Sequence, residues 1–340
     1  MSLVARAIIA FESAPLPDSV RKGAVSFLVG RVKHQMKSVP ENAAADFAEE
    51  MRHHPIAEHT IDANKQHYEI PSEFFALCLG PRFKYSSCLY EPGETLAQAE
   101  IRALTQTCEH AELANDRDIL ELGCGWGSMT LFMAARYPGA RITAVSNSAS
   151  QRAFIEGRAR EQGLTNVRII TADMNVFDTE QRFDRIVSVE MFEHMSNWRA
   201  LLERCRKWLR PDGRLLTHVF AHRTAPYRFD VNDPADWIAH HFFAGGVMPS
   251  RDLIANFPDL FEVEQDWWWN GKHYERTALD WLKNFDANRD RIRTILADVY
   301  GKDAKLWENR WRLFFISTAG LFGHAGGNEW GVVHHRLKPV

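Results

Sequence analysis

A chain of 340 residues, 45% hydrophobic and 25% charged, suffices for one large domain, or one domain with a sizeable extension, and for a well-filled core. A formal net charge of −3 gives no electrostatic case for a nucleic-acid partner, and no apolar run reaches the length of a membrane span. Five dispersed cysteines without paired ligand spacing lead us to expect reduced thiols in a cytoplasmic protein and no metal site.

In chain order, residues 1 to about 65 read as a mixed-charge helical extension, with no charged leader or cleavage site. His53-His54 and His59 lack a metal-ligand pattern. Residues 66–340 are expected to form a second unit. Pro71 fits the first turn of a short helix, Tyr85-Ser86-Ser87 reads as a loop offering hydroxyls, and Thr95 caps a helix reaching Ala111. From Asp118 strands and helices alternate. Strands are expected at Asp118–Leu122, Arg141–Ser146, Val167–Ala172, Phe183–Val189 and Gly213–Phe220, with helices at Met129–Arg136, Ala149–Gln162 and Trp198–Leu209. That rhythm predicts an α/β fold, a Rossmann-like parallel sheet over residues 100–220 with its ligand at the strands' carboxyl ends.

After Phe220 the rhythm breaks. Residues 221–315 are expected to form a helical, aromatic lid containing Trp267-Trp268-Trp269, with a helical stretch from Leu279 to Trp311, and Gly326 onward turns into a terminal strand. The crowding of aromatic residues in this last third suggests an apolar, aromatic pocket.

Chemistry-bearing residues fall at the ends of successive expected strands. Glu121 with Gly123, Gly125 and Gly127 stands at the first. Asn147 and Gln151 follow the second, Asp173 and Met174 the third, and Glu190, Glu193 and His194 the fourth. Such an array suits an adenosine-type ligand, with amides near the glycines and side chains on the ribose. The dinucleotide turn G-x-G-x-x-G is absent and Asn147 is not acidic, so a ligand without phosphates fits better.

On these residues the chain resembles class I S-adenosylmethionine-dependent methyltransferases, Glu121 to Gly127 matching their first motif. Tyr85-Ser86-Ser87-Cys88, Asn147 to Gln151, Arg185 to Val189 and Met191 to His194 narrow the resemblance to the cyclopropane-fatty-acid synthase superfamily. It implies a parallel sheet with a terminal antiparallel strand, and cofactor contacts from Tyr85, Ser86, Glu121, Gly123, Gly125, Asn147, Gln151, Asp173, Met174 and Glu190. Lipid-modifying members hold bicarbonate. Of that anion site Glu193 and His218 are matched, but Ser87 replaces a cysteine and Phe314 or Phe315 falls near a tyrosine position.

The pattern of coclaurine N-methyltransferase-like enzymes fits better, through Glu190, Glu193, His194, the form of Tyr68 to Pro71, Gly271 to Thr277 with Trp281, and Asn328 to Trp330. It implies methyl transfer to an amine of a hydrophobic or aromatic small molecule. Glu193 is expected as base, His194 as its partner and Glu190 as an attracting charge, with Tyr68, His218, Phe314, Phe322 and Trp330 around the acceptor. Glu193 and His194 also suit a helix start, and His218 a core histidine. Cyclopropane synthesis or C-methylation of an unsaturated lipid, S-methylation of a small thiol, and a non-catalytic sensor stay open, as does a homodimer.

Overall fold

The computed structural model describes residues 11, 12, 14, 16–36, 38–58, 70–233 and 236–340. Among the described residues the sheet has seven strands in the order β3-β2-β1-β4-β5-β9-β8. These are β1 (Asp118–Leu122), β2 (Arg141–Ser146), β3 (Val167–Thr171), β4 (Phe183–Val189), β5 (Leu209–His222), β8 (Phe261–Asn270) and β9 (Trp330–Pro339). The first five pair in parallel; β9 runs antiparallel to both neighbours, so it alone is reversed. The short strands β6 (Tyr227–Arg228) and β7 (Val247–Met248) pair separately.

Alternation along the strands divides the core. Leu120, Leu122 and Ile186 face one side, packed with Trp198, Leu201, Leu202 and Cys205 of helix α7 (Trp198–Trp208). Ile119 and Val187 face the other, against Leu104 and Cys108 of α4 (Leu96–His110) and Met129 and Met133 of α5 (Ser128–Arg136). A sheet covered on both faces explains why β1 is apolar almost throughout. Thr95 and Gln98 close a reciprocal capping box at the start of α4, satisfying two of the backbone donors a helix leaves unpaired. The link after β2 is α6 (Ala149–Glu161), capped by Ser148.

A third core explains most of the aromatic residues. Trp281 and Phe285 of α9 (Lys272–Ala287), Ile292 of α10 (Arg289–Tyr300), and Trp311 and Phe315 of α11 (Ala304–Gly323) pack with Phe74 and Phe75 of α3 (Ser72–Cys78). The expected single helical stretch to Trp311 is therefore three helices, and its largest rings pack on one another rather than around a ligand. Helix α1 (Asp18–Met36) docks on α11, where Arg312 binds both Asp18 and Asp286. Helix α2 (Ala43–Glu50) lies beside α1 in sequence and packs under the first core through Ala48, while α8 (Trp237–His241) precedes β7. All five cysteines are buried free thiols. His54, in the cluster that raised the question of metal, bonds Glu50 and Glu58.

The tryptophan triplet belongs to β8, a strand our reading of the sequence did not anticipate. It is an edge strand of mixed polarity with a register shift between Val263 and Gln265, so no clean alternation marks it.

Candidate functional site

A cleft opens at the carboxyl ends of β1, β2 and β4, where polar side chains can reach a ligand without breaking the sheet. The glycine turn forms its floor. Gly123 has φ +76°, and a Cβ there would come within 2.4 Å of Met191 Cγ, so a side chain is excluded twice over. Gly125, at φ +50°, has open space above it, which leaves room for a ligand to approach the backbone. Glu121 is buried at the end of β1 and accepts from Thr130 Oγ1 at 2.5 Å; burial pushes its carboxyl up to about 7.

Ser146 Oγ donates to Gln151 Oε1 at 2.6 Å, fixing the amide and leaving Gln151 Nε2 without a partner. Ser128 Oγ is likewise unpartnered. Both residues line the cleft beside Asn147, Asp173 and Met174. Buried donors without partners are costly, and an adenosine with its ribose would satisfy them. Tyr85 and Ser86 come from the loop before α4 and close the same wall; Ser86 Oγ receives the fully buried Lys84 ammonium at 2.5 Å.

Glu190, just after β4, is held in a left-handed conformation at φ +45°, a strained state for a non-glycine residue. The fold keeps it there through partners on three segments. Ser87 N–H donates to Oε1 at 2.9 Å, Tyr274 O–H on α9 donates to Oε2 at 2.7 Å, and His218 Nε2 lies 3.3 Å from Oε1. Burial raises its pKa, while Lys84, Ser87 and Tyr274 oppose the rise by stabilising the anion. A single 3₁₀ turn, Phe192–His194, follows. It carries His194 to the cleft, stacked on Phe243 with centroids 4.4 Å apart.

Four expected site residues do not line the cleft. Glu193 is wholly buried beneath it: Oε1 accepts Phe220 N–H at 2.6 Å, and Oε2 has no partner. Burial first, then repulsion from Glu190, hold its carboxyl well above the usual range. Glu193, expected as base, thus lies behind the cleft lining, whereas Glu190 three residues earlier is part of it. His218 sits behind Glu190. Phe322 stacks on the back of Tyr274 at 4.3 Å, and Trp330 lies in the third core against His222. Of the expected acceptor pocket Phe314 does line the cleft, and Tyr68 lies outside the described residues.

The walls also include Glu58, Lys84, Trp126, Phe220, Phe243 and Tyr274, to none of which our reading of the sequence gave a role. Tyr274 had a visible signal, since it lies in the Gly271 to Thr277 stretch that carries the resemblance. Phe220 and Phe243 had none, because an aromatic residue reads alike in a core and in a pocket wall.

Fold and cleft together define a class I S-adenosylmethionine-dependent methyltransferase. Residues 57–325 match the mycolic acid cyclopropane synthetase family, and the chain belongs to it. The (S)-coclaurine N-methyltransferase of Thalictrum flavum subsp. glaucum is 34% identical over 95% of this chain and 92% of its own. The cyclopropane-fatty-acyl-phospholipid synthase of Escherichia coli (strain K12) is 30% identical over 80% of this chain and 67% of its own. A crystal structure of coclaurine N-methyltransferase bound to N-methylheliamine and SAH superposes with a TM-score of 0.94, at 32% identity, over 99% of this chain and 100% of that one. No described helix is long and apolar enough to cross a membrane.

Proposed function

We propose that the protein methylates an amine nitrogen of a hydrophobic or aromatic small molecule, with Glu190 and His194 handling the amine. The observation that carries this reading is the Glu190 carboxylate, set in the cleft wall among Phe220, Phe243, Tyr274 and Phe314. Bound above the glycine turn, with Asn147, Gln151, Ser128 and Asp173 as its holders, S-adenosylmethionine supplies an activated methyl group. The protein then has to align the nitrogen and remove its proton. Alkyl ammonium groups keep their proton near neutral pH, with pKa values about where lysine lies, ~10.4. A carboxylate attracts that cation and accepts its proton, and the surrounding rings add a cation–π contribution of about 0.5–2 kcal/mol. Glu193 is a positioning residue: through Phe220 N–H it ties the turn carrying His194 to β5.

Anion-assisted chemistry on lipids is less well supported. Ser87 Oγ donates to its neighbour's carbonyl, Cys88 O, and Phe314 offers no donor to a bicarbonate ion. The five buried thiols suit a cytoplasmic protein, and the net charge of −3 speaks against a nucleic-acid partner. The test is a panel of secondary and tertiary amines, small thiols and phospholipid vesicles, scored for S-adenosylhomocysteine release. Amines are expected to turn over faster as pH rises, and Glu190→Gln to lose about 10²–10⁴-fold. Turnover on vesicles alone, dependent on bicarbonate, overturns the reading.

A further inference from the structure

A proton taken up by Glu190 has to leave, yet its carboxyl is buried and the mouth of the cleft is filled by reactants during turnover. Behind Glu190 a line of imidazoles runs away from the cleft. His218 Nε2 lies 3.3 Å from Glu190 Oε1, and His218 Nδ1 lies 2.8 Å from His334 Nε2. His334 Nδ1 lies 2.8 Å from His110 Nδ1. His218 and His334 are wholly buried, whereas His110, on the last turn of α4, is half-buried.

Sheet register builds this line. His218 on β5 is the direct partner of His334 on β9, and His334 in turn partners Trp267 on β8. Trp267 stacks on His110 with centroids 3.7 Å apart and planes 7° apart, fixing the outer ring. Trp269 packs on both inner rings, 5.1 Å from His218 and 4.4 Å from His334. Two wholly buried imidazoles joined nitrogen to nitrogen with a half-buried third are an unusual use of core volume, since neutral apolar rings would pack there without polar atoms to satisfy.

We infer that Glu190, His218, His334 and His110 form a proton relay that carries the acceptor's proton from the cleft to solvent. The inference rests on the amine reading above. In the receiving state His218 and His334 carry their protons on Nδ1 and His110 on Nε2. The proton leaving Glu190 adds to His218 Nε2, and the His218 Nδ1 proton passes to His334 Nε2. The His334 Nδ1 proton passes to His110 Nδ1, and the His110 Nε2 proton leaves to water. One proton enters, one leaves, and each ring ends neutral in its other tautomer. Once product has left, a proton from water adds to His110 Nε2, the line passes one proton inward to Glu190, and Glu190 releases it through the emptied cleft. This restores the first tautomers, and a typical turnover of about 10 s⁻¹ leaves roughly a tenth of a second for it.

The charges around the line keep it neutral. Burial first lowers all three imidazole pKa values, His110 to about 4; the other rings of the line and Lys84 add to this at His218 and His334, and Arg336 adds to it at His110. Glu190 is the one carboxylate bonded to the line among the described residues. A ring that stays neutral passes a proton on rather than storing it.

Two measurements on the full chain test this. Nitrogen-15 histidine spectra at about pH 7 should show three neutral rings, protonated at Nδ1 in His218 and His334 and at Nε2 in His110, or all three in the opposite tautomer. Facing nitrogens that are both bare or both protonated overturn the relay. With 1,2,3,4-tetrahydroisoquinoline as the probe amine, His110→Gln and His334→Gln should each lower kcat about tenfold with KM changed less than about twofold. Added imidazole should restore the surface variant His110→Gln and not the buried one. An unchanged kcat in His110→Gln, which is expected to fold normally, overturns the relay. Failure of the unaltered protein to methylate any amine sinks the amine reading instead, and the tautomers then decide the relay alone.

Discussion

Replacing Tyr274 with Phe removes one hydroxyl and keeps the ring stacked on Phe322. That hydroxyl donates to Glu190 Oε2 at 2.7 Å, favouring the ionised carboxylate. A hydrogen bond to a charged group is worth about 1.5–3 kcal/mol net. Ser87 N–H and Lys84 remain to compensate, so the lower end applies, and ~1.4 kcal/mol corresponds to about one pH unit. The sign is definite: losing a bond to the anion raises the Glu190 pKa further, so the carboxylate appears only at higher pH. The acidic limb of kcat/KM for a single amine should move upward by about one unit. Below the limb the variant should be about tenfold slower, and above it within about twofold of the unaltered protein. Ionisation of the substrate is common to both proteins and cannot produce the difference. An equal loss at every pH would mean that Tyr274 only positions, and an unmoved limb would mean that Glu190 is not the ionising group.

Since Glu193 lies behind the cleft lining, Glu193→Gln should keep turnover within about threefold, its amide oxygen accepting Phe220 N–H as the acid does, in contrast to Glu190→Gln. Equal losses in the two steady-state assays would return Glu193 to the chemistry. Gly123→Ala should lower thermal stability by about 1–3 kcal/mol and weaken cofactor uptake, whereas Gly93→Ala, at φ +84° with nothing near its Cβ, carries backbone strain alone; matching melting curves would refute the clash with Met191. Glu121 titrates at about 7 when folded against 4.5 ordinarily, so the folded state retains a proton that the unfolded chain releases. Its stabilising contribution is complete below the ordinary value and falls, by at most about 3 kcal/mol, as pH rises through 7. A cation in the cleft favours the ionised form, so the melting shift caused by S-adenosylmethionine should grow from about pH 6 to about pH 8, and Glu121→Gln should flatten that trend.

The parallel half of the sheet was readable because apolar runs, glycine turns and amphipathic helices alternate there, and β1, β2 and β4 lie where the pattern puts them. The edge strand β8 was not, since strands half exposed to water and interrupted by a bulge lose the alternation that identifies them. Within the site, strand ends located the polar groups, but Glu190 and Glu193 were indistinguishable on paper. Which of two acids three residues apart meets the cleft depends on the left-handed turn at Glu190 and the 3₁₀ turn after it, and neither leaves a mark in composition. The histidine line was equally hidden, because His110 and His334 are 224 residues apart and meet only through the pairing of β9.

Strand β9 is the last of the sheet to be made, yet it lies between two strands synthesised earlier. A nascent chain that has not passed residue 330 holds β8 with no neighbour, and β5 shows a bare edge. It also lacks the ring behind His218, so Glu190 would be set in a half-built support. Assembly order thus delays competence: the segments that bind the methyl donor can condense first, and the apparatus that disposes of protons is completed when the final strand slides into its slot.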